Sequence, residues 1–266
     1  MEITIGSRSI TNVSNSSLVL ALLLWGNAGC GKTTLAATAP GKKLWLLFDP
    51  NGLDSLRGRD DVAVLDLSSE RHGIVERFKD DNPFGLEKVL KEHPEIETIV
   101  FDSATTFAVL ATENAVANVK SATIENPGLK GYGHRNAVVL RAIVSVMRLA
   151  RSLNRHFICI SHEDTPDKNE DGTVNFITLA LGGKMVNQVG INIGEIWWMQ
   201  DTGRERRLAV RPIRQRQPMK TRMFDLSSGS GEFIWKYDAS TWTGEGIETW
   251  FQQWKDNEGR KIPLPK

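Results

Sequence analysis

The 266-residue sequence is poor in cysteine and has no long apolar run. Its two cysteines, Cys30 and Cys159, lie in a glycine-rich segment and in an apolar stretch. Neither a structural disulfide nor a cysteine-based metal site is therefore expected, and a reducing compartment such as the cytoplasm fits. The apolar run at residues 18–25 is far shorter than the roughly 20 residues that span a bilayer. The polar first 17 residues lack the basic start of a secretory signal, so no membrane partner is predicted.

The sequence also has no excess of charge of one sign, because its 33 Lys and Arg residues are nearly balanced by 32 Asp and Glu residues. A net charge of +1 does not exclude a nucleic acid partner, since binding depends on where the positive charge lies. Apolar residues make up 40% of the chain and charged residues 24%, so a packed core is expected rather than disorder. The length suits one large α/β domain with short appendages.

Apolar runs alternate with amphipathic segments as far as residue 161. Continuous apolar runs predict strands buried on both faces, at residues 18–25, 43–48, 62–67, 98–101 and 157–161. Helical spacing predicts the intervening helices, at residues 33–38, 83–93, 106–120 and 136–153. Residues 121–134 contain Gly and Pro and are predicted to form a loop. This alternation predicts an α/β fold with a mostly parallel twisted sheet flanked by helices.

After residue 161 the pattern changes to shorter β-forming segments separated by turn signals. They lie at residues 193–199, 206–212, 222–226 and 233–237. We predict that these segments form antiparallel strands that extend the sheet near the C-terminus.

The most specific motif is a phosphate loop at residues 26–33, which match G-x-x-x-x-G-K-[ST] in full between a predicted strand and a predicted helix. Its glycines let backbone amides face the phosphates, Lys32 reaches the β and γ oxygens, and the Thr33 hydroxyl ligates Mg²⁺. The predicted cofactors are therefore ATP and Mg²⁺. The predicted ATP ligands in this segment are Gly26, Asn27, Ala28, Gly29, Cys30, Gly31, Lys32, Thr33 and Thr34.

A second metal position is predicted at Asp102, where the apolar strand at residues 98–101 ends. A carboxylate there can hold a Mg²⁺-bound water beside Thr33. The alternative is that Asp102 only caps the following helix. Ser103 either supports the metal site or is itself the cap.

The order of these features resembles that of RecA-like recombinases, and most of all the Sak-four group of phage single-strand annealing ATPases. The resemblance rests on the phosphate loop, Asp49 after the second strand, Asp102, the glycine segment at residues 131–133, and the His162-Glu163 pair after the fifth strand. It implies that residues 18–237 form a RecA-like ATPase domain, preceded by a polar segment at residues 1–17. Residues 238–266 then form a Trp-rich helix and tail.

The same resemblance implies an activity and partners. Members of this class bind ATP, assemble into rings or filaments on single-stranded DNA and promote pairing of complementary strands, with hydrolysis completed at subunit interfaces. It therefore implies a role in phage recombination in the cytoplasm of a bacterial host, with a single-strand-binding protein as a further partner.

One position departs from the RecA-like pattern. In that class an acidic residue shortly after the second strand activates the attacking water, but the matching position here is Asn51, whose amide cannot accept the proton. Either Asp49 or Asp54 takes the role, or Glu163 approaches from the fifth strand, or hydrolysis is slow and ATP serves as an assembly switch. We favour slow hydrolysis, which predicts a weak DNA-stimulated ATPase. Asp49 fits a turn residue equally well.

His162 matches the position where RecA-like proteins place a polar sensor of the γ-phosphate. An imidazole can donate to a phosphate oxygen, so His162 is a predicted ATP contact. The alternative is a strand-end histidine without such a role.

Two segments are the candidate DNA contacts. The first is the predicted loop at residues 121–135, which offers Lys130, Tyr132 and Arg135 for phosphates and base stacking, unless it is only a tight glycine turn. The second is the basic segment at residues 204–222, with Glu205 as its lone acid. Its predicted DNA contacts are Arg204, Arg206, Arg207, Arg211, Lys220 and Arg222.

Arginines of the same segment are also candidates for a catalytic finger that reaches a neighbouring subunit's γ-phosphate. We assign this role to Arg214 and Arg216, with Arg211 as a third candidate. The alternative for the whole segment is a solvated antiparallel ribbon. The loop at residues 164–183 is acidic at its start and predicts a solvated hairpin tip instead of a DNA surface.

Two other functions remain open from the sequence. One is a replication accessory ATPase, such as a helicase loader, that binds a protein partner first. The other is a nucleotide-gated DNA-binding module with negligible hydrolysis. Near the C-terminus, Ile247, Trp250 and Trp254 share one helical face, which either packs on the domain or offers an aromatic contact for a partner.

Overall fold

A computed structural model describes residues 3–5, 8–10, 17–120, 123–182, 185–227 and 229–265. Fourteen strands lie within these ranges: β1 (Ile3–Ile5), β2 (Arg8–Ile10), β3 (Ala21–Gly26), β4 (Lys42–Leu47), β5 (Val62–Asp66), β6 (Ile96–Asp102), β7 (His156–His162), β8 (Asp167–Lys168), β9 (Val174–Phe176), β10 (Glu195–Asp201), β11 (Arg206–Ala209), β12 (Glu232–Trp235), β13 (Tyr237–Asp238) and β14 (Thr243–Gly244).

Six α-helices lie within the same ranges: α1 (Lys32–Ala36), α2 (Leu86–Glu92), α3 (Ala104–Asn118), α4 (Gly128–Ser152), α5 (Met185–Asn192) and α6 (Ile247–Asp256). Short 3-10 helices occur at Gly52–Leu56, His72–Lys79 and Pro83–Gly85. None of the helices in the described ranges combines the length and the apolar character needed to cross a bilayer.

One eight-stranded sheet forms the centre of the fold, in the order β12-β11-β10-β3-β7-β6-β4-β5. Its six strands from β10 to β5 are parallel to one another. Strands β11 and β12 join antiparallel at one edge. The predicted α/β class, with a mostly parallel sheet and antiparallel strands added near the C-terminus, is confirmed.

The central strands are buried on both faces, which accounts for their continuous apolar sequences. On β3, Leu23 and Trp25 face a core that also contains side chains of α3 and α4. Leu22 and Leu24 face the opposite core, which includes side chains of α1 and α6. Because the phosphate-loop strand lies inside this sheet, the loop that follows it starts from a rigid support.

The prediction of a loop at residues 121–134 is wrong in its second half, because α4 begins at Gly128. Lys130, Tyr132 and Arg135 therefore lie in the first turns of a 25-residue helix and not in a flexible loop. The glycines misled the prediction, since glycine usually disfavours a helix. Gly131 is buried, and α4 packs along α3, so tertiary contacts outweigh the local preference.

Two further differences concern the region after residue 161. The segment predicted at residues 193–199 forms β10, but β10 pairs parallel with β3 and not antiparallel. Residues 222–226 form no strand, and Phe224 makes only an isolated bridge to Ile262. The helix α5 that precedes β10 returns the chain to the opposite end of the sheet, which allows the parallel pairing.

Helix α6 packs against the sheet. Trp250 is 1% exposed, and its ring centroid lies 5.9 Å from that of Trp197 and 5.4 Å from that of Phe233. The Ile247 amide donates a hydrogen bond to Thr38 Oγ1 at 2.9 Å. The apolar face predicted for this segment therefore belongs to the core of the same domain.

Candidate functional site

The phosphate loop connects the end of β3 to the start of α1, as predicted. Gly29 and Gly31 have positive φ angles of 76° and 100°, a backbone conformation that residues other than glycine rarely adopt. A Cβ atom built on Gly26 would lie 2.0 Å from the carbonyl oxygen of Met199 on β10. Glycine at position 26 is therefore required by the close approach of β10, and not only by the curl of the loop.

Lys32 lies inside the loop with its side chain almost fully buried. Its Nζ donates to the carbonyl oxygens of Gly26 at 3.0 Å and Asn27 at 2.6 Å. Burial lowers the pKa of Lys32, and the nearby Cys30 and Asp102 oppose this effect. A buried ammonium group gains stability from an anion beside it, so the loop is prepared to accept a phosphate. Burial also raises the pKa of the Cys30 thiol, so Cys30 packs as a neutral side chain.

Asp102 ends β6 beside the phosphate loop and is 3% exposed. Its Oδ2 accepts hydrogen bonds from Thr33 Oγ1 at 3.3 Å and from Trp45 Nε1 at 3.1 Å. Burial raises the pKa of Asp102 to about 6; Asp49 contributes to the rise, and the Trp45 and Thr33 hydrogen bonds oppose it. The predicted pairing of Thr33 with Asp102 is thus present in the fold.

Ser103, and not Asp102, caps the next helix. The Ser103 Oγ accepts a hydrogen bond from the Thr106 amide at 3.1 Å at the start of α3. The peptide bond between Asp102 and Ser103 is cis. With the capping role taken by Ser103, the Asp102 carboxylate faces the phosphate loop.

Trp45 is a site residue that the sequence interpretation missed. It lies in the middle of β4, is fully buried, and orients Asp102 through its indole N–H. In the sequence Trp45 is one more apolar residue of a buried strand, so no local signal separates it from its neighbours.

A cavity of about 390 Å³ is lined by most of the predicted nucleotide residues, whereas Gly26, Asn27 and Cys30 do not line it. It brings together the phosphate loop, both aspartates that follow strands β4 and β6, and the histidine that ends β7. Its lining residues are Ala28, Gly29, Gly31, Lys32, Thr33, Thr34, Asp49, Asn51, Gly52, Ser55, Asp102, Ile160, His162 and Arg206. Ser55 and Arg206 were not predicted at this position.

The donors around Asp102 suit a hard cation. The Thr33 hydroxyl and the Asp102 carboxylate provide oxygen ligands, which Mg²⁺ prefers and usually supplements with water and phosphate oxygens. The described residues contain no cluster of three or more His, Cys, Asp or Glu that could hold a metal ion by itself. A cation at this site would therefore depend on a phosphate ligand for part of its coordination.

Asp49 and Asn51 both line the cavity, in the turn that follows β4. Asp49 Oδ1 accepts a hydrogen bond from the backbone N–H of Asn51 at 3.0 Å. A hydrogen bond from an Asp side chain to the backbone two residues later is typical of a turn. Asp54 points away from the cavity, because its side chain is 73% exposed and pairs with Arg57 at 2.8 Å.

Glu163 is held by two side chains of the same chain. Arg216 reaches it with Nε to Oε2 at 3.2 Å and Nη2 to Oε1 at 3.4 Å, and Trp198 Nε1 donates to Oε2 at 2.7 Å. The Arg216 guanidinium also stacks over the Trp198 ring, 4.5 Å from its centroid. Both carboxylate oxygens of Glu163 are therefore occupied, and Arg216 is engaged within its own subunit.

His162 lies at the end of β7 in the cavity lining. Burial lowers the pKa of His162, and the positive charge of Lys32 lowers it further. A neutral imidazole is therefore favoured at this position, with one ring nitrogen available as a donor.

Four of the eight basic residues at positions 204–222 form ion pairs with carboxylates of the same chain, some close in sequence and some distant. These pairs are Arg206 with Asp201 at 3.5 Å, Arg207 with Glu205 and with Glu232 at 3.9 Å, Arg214 with Glu232 at 3.4 Å, and Arg216 with Glu163. Lys220 donates from Nζ to the Gly190 carbonyl at 2.5 Å. Arg204, Arg211 and Arg222 are exposed, and their guanidinium groups form no ion pair within the described residues. Arg211 Nη1 donates to the Gly229 carbonyl at 3.5 Å, and the backbone amide of Arg222 donates to Glu195 Oε1 at 2.5 Å.

The start of α4 presents a different surface. Lys130 is exposed, Tyr132 is 48% exposed and Leu129 is 94% exposed. Arg135 is half-buried beside Gly182, and burial lowers its pKa while the nearby Tyr132 and Asp164 oppose this effect. The loop that follows β7 contains the hairpin of β8 and β9, as the acidic pattern predicted.

Comparison with known families agrees with this geometry. A family model described as an AAA domain matches residues 20–211, a range that includes the phosphate loop, Asp102 and His162. A search of curated proteins found no match. Because the family model covers most of the chain, this protein belongs to the AAA domain family of P-loop ATPases.

Proposed function

We propose that the protein binds Mg²⁺-ATP in the cavity beside β3 and β6, hydrolyses it slowly, and uses the bound nucleotide to control the pairing of single-stranded DNA. The observation that carries the proposal is the arrangement of Lys32, Thr33 and Asp102 around one cavity. The Lys32 ammonium and the loop amides provide positive charge for the phosphates. A bound Mg²⁺ would neutralise charge on the β- and γ-phosphate oxygens.

Slow hydrolysis follows from the carboxylates that are available. Among the described residues, only Asp49 and Asp102 bring carboxylates into the cavity lining. The Asp102 carboxylate accepts hydrogen bonds from Thr33 and Trp45, and the Asp49 carboxylate accepts one from the backbone N–H of Asn51. Glu163 is neutralised by Arg216. Within the described part of the chain, the site therefore lacks an unengaged carboxylate that could act as general base for the attacking water. Because general-base assistance typically contributes about 10²- to 10⁴-fold to a rate, hydrolysis should be slow.

The exposed cations support single-stranded DNA as the polymer acted upon. Arg204, Arg211 and Arg222 can contact phosphates, while Tyr132 and Lys130 at the start of α4 offer a stacking ring and a further charge. We propose that protomers assemble on the strand, as in the RecA-like class that the sequence resembles. Of the remaining predicted contacts, Arg206, Arg207 and Lys220 are engaged within the chain, and Arg135 is half-buried beside Gly182.

The decisive experiment measures ATP turnover with and without an oligonucleotide, together with calorimetric binding of each ligand. We expect ATP binding with Mg²⁺, low basal turnover and stimulation by single-stranded DNA. Absence of any ATP binding by well-folded protein would refute the nucleotide assignment.

The DNA surface is tested separately by the salt dependence of binding. Each phosphate contact on a single strand contributes a slope of about −0.7 in log affinity against log salt, so a triple alanine variant of Arg204, Arg211 and Arg222 should flatten the slope by about 2. Lys88→Ala on α2 is a control for the loss of an exposed charge. An unchanged slope in the triple variant would place the DNA elsewhere.

A second candidate, a replication accessory ATPase that first binds a protein, is favoured by one observation. Ile124, Leu129 and Tyr132 are exposed near the start of α4, and half of the basic residues at positions 204–222 are paired with carboxylates. ATP binding without oligonucleotide affinity or stimulation would support this candidate over the first.

A further inference from the structure

A second cavity, of about 510 Å³, shares Arg206 with the nucleotide cavity. Its walls come from the turn between β10 and β11 and from the residues around the end of β12 and the start of β13. A Cβ atom built on Gly31 would lie 3.1 Å from Arg206 Nε, so the Arg206 side chain lies directly against the phosphate loop. The two cavities therefore meet at this side chain.

The first cavity offers a good site for phosphates and a poor one for a nucleoside. Apart from the aliphatic stems of its polar residues, its apolar side chains are Ala28 and Ile160, and its lining contains no aromatic ring other than the His162 imidazole. A base bound there would gain little stacking or apolar contact. The nucleoside half of ATP must therefore extend beyond it.

The second cavity has the missing features. Trp235, Tyr237 and Ile234 contribute aromatic and aliphatic walls. Asp238 contributes a carboxylate that can accept from ribose hydroxyls or base amino groups through Oδ2, while its Oδ1 accepts from Ser240. The rings of Trp235 and Tyr237 are stacked, with centroids 4.9 Å apart and an interplanar angle of 13°. This pair makes a rigid wall.

Arg206 is held in place between the two cavities. Its guanidinium lies 5.8 Å from the centroid of the Trp235 ring, and its Nε lies 3.5 Å from Asp201 Oδ2. Asp201 is itself fixed, because its Oδ1 accepts from the Gly203 amide at 2.7 Å. A planar guanidinium fixed on one side by an aromatic ring and a carboxylate presents a flat cationic face for stacking.

We infer that the second cavity receives the base and ribose of the nucleoside triphosphate, with the base stacked on the Arg206 guanidinium. This inference rests on the proposed function, because it takes the phosphates to lie in the loop that contains Lys32. It gives Arg206, which the sequence placed among the DNA contacts, a role in nucleotide binding within its own subunit.

Calorimetry with two probes separates the base site from the phosphate site. Mg²⁺-tripolyphosphate reports on the phosphate loop alone, and Mg²⁺-ATP reports on both cavities. In Arg206→Ala we expect ATP affinity to fall by roughly 10- to 100-fold, the range typical of a lost stacking contact, while tripolyphosphate affinity stays unchanged. Arg206→Lys keeps the charge without the planar face, so it should lose most of the ATP affinity as well.

Other outcomes overturn the inference. An equal loss for ATP and tripolyphosphate would make Arg206 a phosphate ligand, and no loss for either would remove it from the site. If wild-type protein bound neither probe, the proposed function itself would fail, which is a distinguishable result.

Photolabelling of the unmodified protein tests the same inference without a variant. With 8-azido-ATP we expect labelled peptides from residues 201–206 or 234–240. Labelling confined to other peptides would place the base elsewhere and refute the assignment.

Discussion

Replacing Asp102 with asparagine should stabilise the nucleotide-free protein and weaken its response to Mg²⁺. Asp102 is 3% exposed, and burial raises its pKa from 3.8 to about 6. A carboxyl group with a higher pKa in the folded state holds its proton more tightly there than in the unfolded chain. The contribution of Asp102 to the free energy of unfolding is therefore greatest below about pH 4, falls as the pH rises to about 6, and stays low above pH 6.

The magnitude follows from the two pKa values. A change from 3.8 to about 6 corresponds to about 3 kcal/mol, which the wild-type protein loses at neutral pH by burying a charge. Asparagine retains an oxygen that can accept from Thr33 and Trp45 but carries no charge. For a chain of this length, the Asp102→Asn variant should therefore unfold about 5 to 10 °C above the wild type near pH 7.5, and the difference should nearly vanish near pH 4.

The assay is thermal unfolding followed by circular dichroism at several pH values, with and without Mg²⁺-ATP. Bound ligand stabilises the folded state by mass action, so the wild-type protein should gain stability from Mg²⁺-ATP and the variant should lose the metal-dependent part. Asp54→Asn is the matched control, because Asp54 is 73% exposed and lies outside the cavity. A variant that is less stable than the wild type at neutral pH, or that keeps the same pH slope, would refute the reasoning.

Three further predictions concern the cavity and its supports. Lys32→Ala should weaken ATP binding by at least about 100-fold in calorimetry, because the variant removes the buried cation of the loop; wild-type affinity would contradict the assignment. Arg216→Ala leaves Glu163 buried without its charge partner and should cost about 3 kcal/mol in denaturant unfolding, whereas Arg204→Ala at an exposed position should cost less than about 0.5 kcal/mol. Similar losses in both would reject a stabilising role for the pair. Asn51→Glu should raise ATP turnover at least about tenfold if residue 51 occupies the position of the general base, and unchanged turnover would exclude that position.

The phosphate loop and the parallel sheet could be predicted because their signals are local. A glycine-rich motif of this spacing between an apolar run and a helix is specific for phosphate binding, and strands buried on both faces have continuous apolar sequences. The prediction of Asp102 as a neighbour of Thr33 followed from the rule that ligands meet at the carboxyl ends of parallel strands, and the structure brings them within 3.3 Å.

The start of α4 and the direction of β10 could not be predicted in the same way. Gly131 is a turn signal by local preference, yet its lack of a side chain suits a buried helix position. The direction of β10 depends on which sheet edge is free and on the return of the chain through α5. Both are decided by contacts between segments that are distant in sequence.

The amino-acid sequence by itself determined the α/β class, the phosphate loop and the aspartate that faces it, because these depend on periodicity and on one short motif. Only the tertiary structure decided how the charges are used. It pairs Arg216 with Glu163 and Arg214 with Glu232. It also places Arg206 against the phosphate loop and brings the Trp45 indole N–H within hydrogen-bonding distance of Asp102. An ion pair or an indole hydrogen bond depends on distances of a few ångströms in space, and separation along the chain carries no information about those distances.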